Sequence, residues 1–261
     1  MDTRPIGVFD SGLGGLTVVS QIRALLPNES IVYLGDTARV PYGTRSKEVV
    51  VKFAKQDAQF LVGKNVKCVV IACNTASSWA ANEVRQSMTI PVLDVVSSCM
   101  MSLVNIKKIG VIATRGTVNS HAYTNGIKKI NPHALVIEKE CPLFVPFIEE
   151  GIVKGKLIDM LIDNYLSDMR RNKVDTLVLG CTHYPMLANK IRNYMGKDVS
   201  LLDAGKTVAI SLGQVLKDKN MQNNSRQPFH EYFVTDLTDN FVNVASWFLK
   251  EKLKKVQKIS L

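Results

Sequence analysis

The sequence predicts an α/β protein built as two pseudo-symmetric α/β domains with parallel-sheet cores and an active site at their interface. Three observations predict it. Short apolar, β-branched runs alternate with longer stretches of helical periodicity, the pattern of parallel strands joined by helices. Two of those runs, CVVIA and TLVLG, lead into a cysteine with a threonine close behind, in IACNTASS (Ile71–Ser78) and LGCTHYP (Leu179–Pro185). The spacing of the landmarks is nearly constant: Gly7 and Gly110, in matching Ile-Gly-Val runs, are 103 residues apart, and Cys73 and Cys181 are 108 apart.

Each element follows in order. PIGVFD reads as a first strand, GLTVVSQIRALLP as a helix stopped at Pro27, and SIVYLGD as a second strand. Between Ser46 and Gly63 the apolar positions Val49, Val50, Phe53, Ala54, Ala58, Leu61 and Val62 have helical spacing. CVVIA is a third strand, SSWAANEVRQSM a helix and PVLDVV a fourth strand. The chain then begins again: KIGVIATRGTVNS echoes PIGVFDSGLGGLTVVS, an Ile-Gly-Val strand leading through a polar turn to a helix. ALVIEKE is a strand, IEEGIVKGKLIDMLIDNYLSDM is helical, and TLVLGCTHYP repeats the cysteine strand. SLLDAG is a further strand, after which the chain returns to the first half and adds HEYFVTD. The tail KEKLKKVQK, on an amphipathic pattern with Phe248, Leu253 and Val256, reads as a terminal helix. The expected domains are 1–96 plus 206–261, and 97–205.

Composition narrows the class. The 261 residues suffice for two modest cores, and 46% apolar with 21% charged content is ordinary for a globular chain. No apolar run approaches the roughly 18 residues that span a bilayer. The start, MDTRPIGVFDSG, lacks a basic segment followed by an apolar one, so the expected compartment is the cytoplasm. Five cysteines, Cys68, Cys73, Cys99, Cys141 and Cys181, are odd in number and form no CxxC, which argues against a disulfide framework and a structural zinc site. The net charge of +10 is spread out, and its densest run, the tail, reads as a solvated helix face. Arginines and aromatics do not interleave, so nucleic acid is not expected as a partner.

In parallel α/β sheets ligands bind beyond the carboxyl ends of the strands. The polar turns fall there: Asp10-Ser11-Gly12; Asp36-Thr37, followed by Pro41-Tyr42-Gly43; Cys73-Asn74-Thr75; Thr114, Gly116 and Thr117; and Cys181-Thr182-His183. Backbone amides at helix starts, with hydroxyls and an amide side chain, suit carboxylate oxygens. DSGLGG is not a GxGxxG fingerprint, and its glycines serve equally for a tight turn and close packing. GKT at 205–207 lacks the leading glycine of a phosphate loop, since position 200 is serine. Two thiols from two similar halves fit a two-base reaction, in which a thiolate takes a proton from one face of a carbon and a thiol gives one to the other. A cysteine pKa near 8.5 is tunable toward neutrality. Asp10 is placed to assist Cys73, and His183, with Glu149 or Glu150, to assist Cys181. A carboxylate raises a thiol's pKa, so such help is proton transfer or orientation. Asp36 is expected to order the Pro41-Tyr42-Gly43 loop, and Cys68, Cys99 and Cys141 to be small buried side chains.

FDSGLGG, GDTARVPYG, ACNTAS, CPLFVPFIEEG and GCTHYP, in this order and spacing, resemble the bacterial glutamate racemases of the aspartate/glutamate racemase family, from residue 6 to about 205. The resemblance implies interconversion of L- and D-glutamate without pyridoxal phosphate or metal, supplying D-glutamate to peptidoglycan, in a two-domain protein that commonly dimerises. It implies Cys73 and Cys181 as the acid-base pair, Asp10 assisting on one side and His183 with Glu149 on the other. Glu149 is preferred to Glu150 because it follows the FVPFI run directly. Substrate contacts are implied for Asp10, Ser11, Tyr42, Gly43, Asn74, Thr75, Thr117, Thr182 and His183. The chain lacks the N-terminal extension of some members, so regulation through one is not expected. The alternatives are an aspartate or other amino-acid racemase of the same family, a one-cysteine hydrolase or lyase, and a basic protein binding nucleic acid or another protein.

Overall fold

A computed structural model describes residues 2–224, 227–238, 241–253 and 255–261. Its first half runs β1 (Ile6–Asp10), α1 (Gly15–Leu25), β2 (Ile31–Gly35), α2 (Lys47–Gly63), β3 (Cys68–Ile71), α3 (Asn74–Gln86), β4 (Val92–Asp94) and α4 (Val95–Cys99). The second runs β5 (Lys108–Ala113), α5 (Arg115–Asn119), α6 (Ala122–Ile130), β6 (Leu135–Glu140), α7 (Phe144–Glu149), α8 (Lys156–Arg171), β7 (Thr176–Gly180), α9 (Ala188–Met195) and β8 (Ser200–Asp203). The chain then crosses back through α10 (Ala204–Asp218), β9 (His230–Val234), α11 (Phe241–Leu249) and β10 (Gln257–Lys258).

Both sheets are parallel throughout, with orders β10-β9-β2-β1-β3-β4 and β6-β5-β7-β8. The four strands β2-β1-β3-β4 thus recur as β6-β5-β7-β8, and the duplication extends to register. Gly7 lies opposite Val69 and Gly110 opposite Leu177, each partner four residues before its cysteine. The repeated glycine has a packing cause. A Cβ on Gly7 would press on Leu61 of α2 and on Val66, and one on Gly110 on Met169 of α8 and on Leu177. Helices can approach β1 and β5 closely only over a missing side chain.

Strands β1, β2, β3 and β7 are wholly buried, as central parallel strands covered on both faces must be. One apolar core joins the halves. It runs from Ile6, Val8 and Ile22 through Val208 and Leu212 of α10 to Val111, Leu166 and Val178. A second, built on Phe9, Leu34, Ala54 and Val69, fills the other face of the first sheet.

Four expectations about local structure are corrected. PVLDVV is strand only to Asp94, whose Oδ1 accepts from Ser97 N at 2.8 Å and caps α4. The helix after the third strand begins at Asn74, so Cys73 is its N-cap. The long helix expected from Ile148 is two, because the backbone turns left-handed at Gly151 (φ 72°) and again at Gly155 (φ 92°). The terminal helix ends at Leu249, and Gln257–Lys258 instead extend the sheet beside β9; Lys254 of that tail lies outside the described residues.

Candidate active site

The carboxyl ends of the two sheets meet around a pocket of about 370 Å³. Its wall includes Ser11, Tyr42, Gly43, Cys73, Asn74, Thr75, Glu149, Cys181, Thr182 and His183, which sequence reasoning singled out. Hydrogen bonds lock the halves together beside it. Thr17 Oγ1 donates to Thr182 O (2.8 Å), Tyr123 OH donates to Asn74 Oδ1 (2.7 Å), and the Thr75 hydroxyl bonds those of Thr114 (2.9 Å) and Thr117 (3.3 Å).

Cys73 lies two residues beyond the end of β3 and caps α3. Its thiol donates to Ser11 Oγ (3.5 Å) and its sulfur accepts from Ala76 N (3.5 Å). Burial pushes this thiol up to about 11, the Asp10 carboxyl adds to the rise, and hydrogen bonding with Ser11 and Ala76 opposes it. Asp10 lies behind the wall, 1% exposed, with Gly12 N donating to Oδ2 at 3.0 Å. Burial raises its carboxyl above the ordinary range, against the pull of His183 and of the Gly15 and Gly12 amides.

On the other side, Cys181 Sγ is 3.9 Å from His183 Nδ1, and His183 Nε2 is 2.9 Å from Glu149 Oε1. If Glu149 accepts the Nε2 proton, Nδ1 is left as an acceptor facing the thiol. Burial pushes the Cys181 thiol up; the His183 amide opposes, and the charges of Cys73, Asp10 and Glu149 add to the rise. Glu149 is the last residue of α7, and Glu150 is the C-cap beyond it. Phe248 of α11 meets the imidazole edge-to-face, ring centroids 5.3 Å apart.

The pseudo-symmetry stops at the groups around the thiols. By register, Asp10 corresponds to Ala113, and two residues past each cysteine Thr75 corresponds to His183. The scaffold is duplicated, and each thiol has its own chemistry around it.

Three of the expected contacts lie differently. Asp10 is buried behind the wall rather than lining the pocket. Thr117 is buried behind the wall, held by Thr75 and Thr114, and it is Thr114 that lines the pocket. Tyr42 borders the pocket, yet its hydroxyl points into the buried carboxyls of Asp36 and Asp57. Sequence reasoning passed over Val40, Thr44, Arg115, Pro142, Val145 and Pro146 as wall residues, and placed Cys141 in a core. The signal was present in the CPLFVPFIEEG motif, whose first half carries most of the apolar wall.

All five thiols are raised by burial, Cys73 to about 11 and Cys68 and Cys99 to about 12, with Cys141 and Cys181 also pushed up. An unfolded thiol titrates near about 8.5. The folded state therefore holds these protons longer, so their stabilising contribution is complete below that pH and is lost as pH rises toward the folded values. Urea unfolding is expected to lose up to about 1.4 kcal/mol per pH unit for each thiol above about pH 8.5. A flat stability profile from about pH 8.5 to about 10.5 would contradict the burial of these groups.

Residues 14–211 match the model of the Asp/Glu/hydantoin racemase family. The chain belongs to that family. It is 42% identical to a glutamate racemase of Geobacter metallireducens over 100% of this chain and 98% of that protein, and 41% identical to one of Aquifex aeolicus over 95% of each. Among solved structures it resembles the glutamate racemase of Francisella tularensis in complex with D-glutamate, with a TM-score of 0.95 and 41% identity over 100% of this chain and 98% of that one. An aspartate racemase of Picrophilus torridus shares the fold alone, at TM-score 0.59 and 19% identity over 84% of this chain and 99% of that one. No helix among the described residues is long and apolar enough to cross a membrane.

Proposed function

We propose that this chain interconverts L- and D-glutamate, with Cys73 and Cys181 exchanging protons with opposite faces of Cα and no metal or organic cofactor taking part. The observation that carries the reading is the pair of thiols in one pocket wall, at equivalent registers of two duplicated sheets. One cysteine, as thiolate, takes the α-proton; the other, as thiol, delivers its proton to the opposite face. The protonation states of the pair are then exchanged, and the reverse reaction uses them as they stand. Burial keeps both thiols protonated in the free site. A zwitterionic substrate brings an α-ammonium beside them, and that positive charge favours a thiolate. Asp10 assists Cys73; His183, oriented by Glu149, assists Cys181.

Donors for the substrate carboxylates are at hand. Asn74 Nδ2 is buried without a hydrogen-bond partner among the described residues, at the start of α3, where amides also point outward. Hydroxyls of Ser11, Thr75, Thr114 and Thr182 and the Gly43 backbone complete the wall, with Tyr42 and Thr117 holding it from behind. The same reading divides the chain into 1–96 with 206–261 and 97–205. It takes the protein to be a homodimer in the cytoplasm, delivering D-glutamate to peptidoglycan, with nucleic acid no partner; the family resemblance implies the dimer and the peptidoglycan role, and the spread of the positive charge argues against nucleic acid.

The test uses purified protein with L-glutamate, and separately D-glutamate, in deuterated buffer under reducing conditions without added cofactor. Loss of the α-proton signal together with decay of optical rotation from both enantiomers is expected. Exchange with aspartate at a comparable rate would move the substrate to the shorter acid, and no exchange with either would remove the assignment.

A further inference from the structure

Behind Tyr42 in the pocket wall lies a buried polar cluster whose carboxyls take no part in the chemistry so far described. Asp36, at the end of β2, and Asp57, in the middle of α2, are both fully buried. The Tyr42 phenol lies between them, hydrogen bonded to Asp36 Oδ2 and, at 2.9 Å, to Asp57 Oδ2. Arg39 reaches both carboxyls, Nε to Asp36 at 2.6 Å and Nη2 to Asp57 at 2.9 Å, and stacks on Phe53. Thr235, following β9, donates to Asp36 Oδ1 at 2.9 Å.

Hydrogen counting decides the protonation of this cluster. A phenol has one proton and can donate to one carboxyl only. Asp36 already collects the donors expected of an ionised carboxylate, from Arg39, Thr235 and Tyr42. Asp57 meets the same phenol oxygen from the other side, and a carboxylate there would face its lone pairs. The contact becomes a hydrogen bond if Asp57 Oδ2 carries the proton and donates to Tyr42, which in turn donates to Asp36. The charge count agrees, since one guanidinium balances one of the two buried carboxyls.

We propose that Asp57 is a protonated positioning residue, which through Tyr42 and Asp36 holds the 36–44 loop as one wall of the substrate pocket. That loop is what the first half presents to the second at the pocket: Gly43 abuts Thr114, and its carbonyl lies against Gly116. A shift of Tyr42 therefore moves the Gly43 backbone and widens the gap between the halves where the substrate carboxylate is bound. The charged and titratable groups facing Asp57 are Asp36 and Arg39 in the loop, Tyr42, and, further off, Asp10 of β1 and Tyr33 of β2. Burial, then Asp36, pushes the Asp57 carboxyl well above the carboxylate range, with Tyr42 and Arg39 opposing. The inference rests on the racemase reading for its kinetic readout and on geometry alone for its protonation.

The test compares wild type with Asp57→Asn and Asp57→Ala. The asparagine amide can donate to Tyr42 and accept from Arg39, so the cluster survives without a titrating group. Asp57→Asn is expected to keep KM for glutamate within about twofold of wild type, while Asp57→Ala, leaving buried partners unpaired, raises it roughly tenfold with kcat changed far less. An infrared difference spectrum of wild type against Asp57→Asn at neutral pH is expected to show the carbonyl stretch of a protonated carboxylic acid in wild type only. Absence of that band, or an asparagine variant as impaired as the alanine one, overturns the proposal. Should wild type fail to racemise glutamate, the substrate reading fails and the infrared band still decides the state of Asp57.

Discussion

Cys73→Ser and Cys181→Ser are each expected to lower glutamate racemisation by about 10³-fold, the scale on which a positioned proton-transfer group acts. A serine hydroxyl at either position is far too weak an acid to supply the missing base. The two losses will not look alike in deuterated buffer. In Cys73→Ser the remaining thiol at 181 can still remove the α-proton of the enantiomer presented to it and return a deuteron to the same face. That variant should exchange one enantiomer without inverting it, and Cys181→Ser should exchange the other. The surroundings of the two thiols make the residual rates unequal, since Cys181 has an imidazole 3.9 Å away and Cys73 a serine hydroxyl at 3.5 Å. Equal thermal melting of the variants and wild type would show that the effect is chemical. If either variant racemises at the wild-type rate, one thiol is dispensable and the two-base assignment falls.

Gly14→Ala is the second large effect, and it tests the join between the halves. A Cβ at Gly14 would come within 3.0 Å of Thr182 Oγ1 and His183 Nδ1. The glycine's φ of −57° is ordinary, so close approach and not backbone freedom is what requires it. The added methyl must push the loop before α1 away from the segment that carries Cys181 and His183. A misplacement of about 1 Å in a catalytic site can cost about 10²-fold in rate, and that loss of kcat/KM is expected. Overpacking of this kind destabilises by about 1–3 kcal/mol, seen as a lower melting temperature. Gly63→Ala, with no atom within 4 Å of its Cβ, is the control and should leave both quantities near wild type. An alanine at 14 that retains full activity would show that the two halves are not in register at this point.

Much of this was legible in the sequence. The central strands appear as short β-branched runs because both their faces are buried, and the duplication appears because Gly7 and Gly110 solve the same packing problem under α2 and α8. The thiols were legible as a pair since each follows an equivalent strand. The tail was misread for a physical reason. Phe248 and Leu253 are buried as an amphipathic pattern demands, but Phe248 belongs to the helix and packs on His183, while Leu253 lies beyond its end and the chain goes on to pair with β9. Periodicity reports that residues are buried, not against what.

The sequence by itself determined the alternation of elements, the twofold repeat, and the place of Asp10, Cys73, Cys181 and His183 in the turns that follow equivalent strands. These follow from local periodicity, turn chemistry and repetition along the chain. Only the tertiary structure decided that Thr117 stands behind Thr114, that the Tyr42 hydroxyl turns away toward Asp36 and Asp57, and that Phe248 returns from the far end of the chain to the imidazole. Each of those is a contact between side chains brought together by packing, and what a side chain touches depends on the shape of the whole core rather than on its neighbours in sequence.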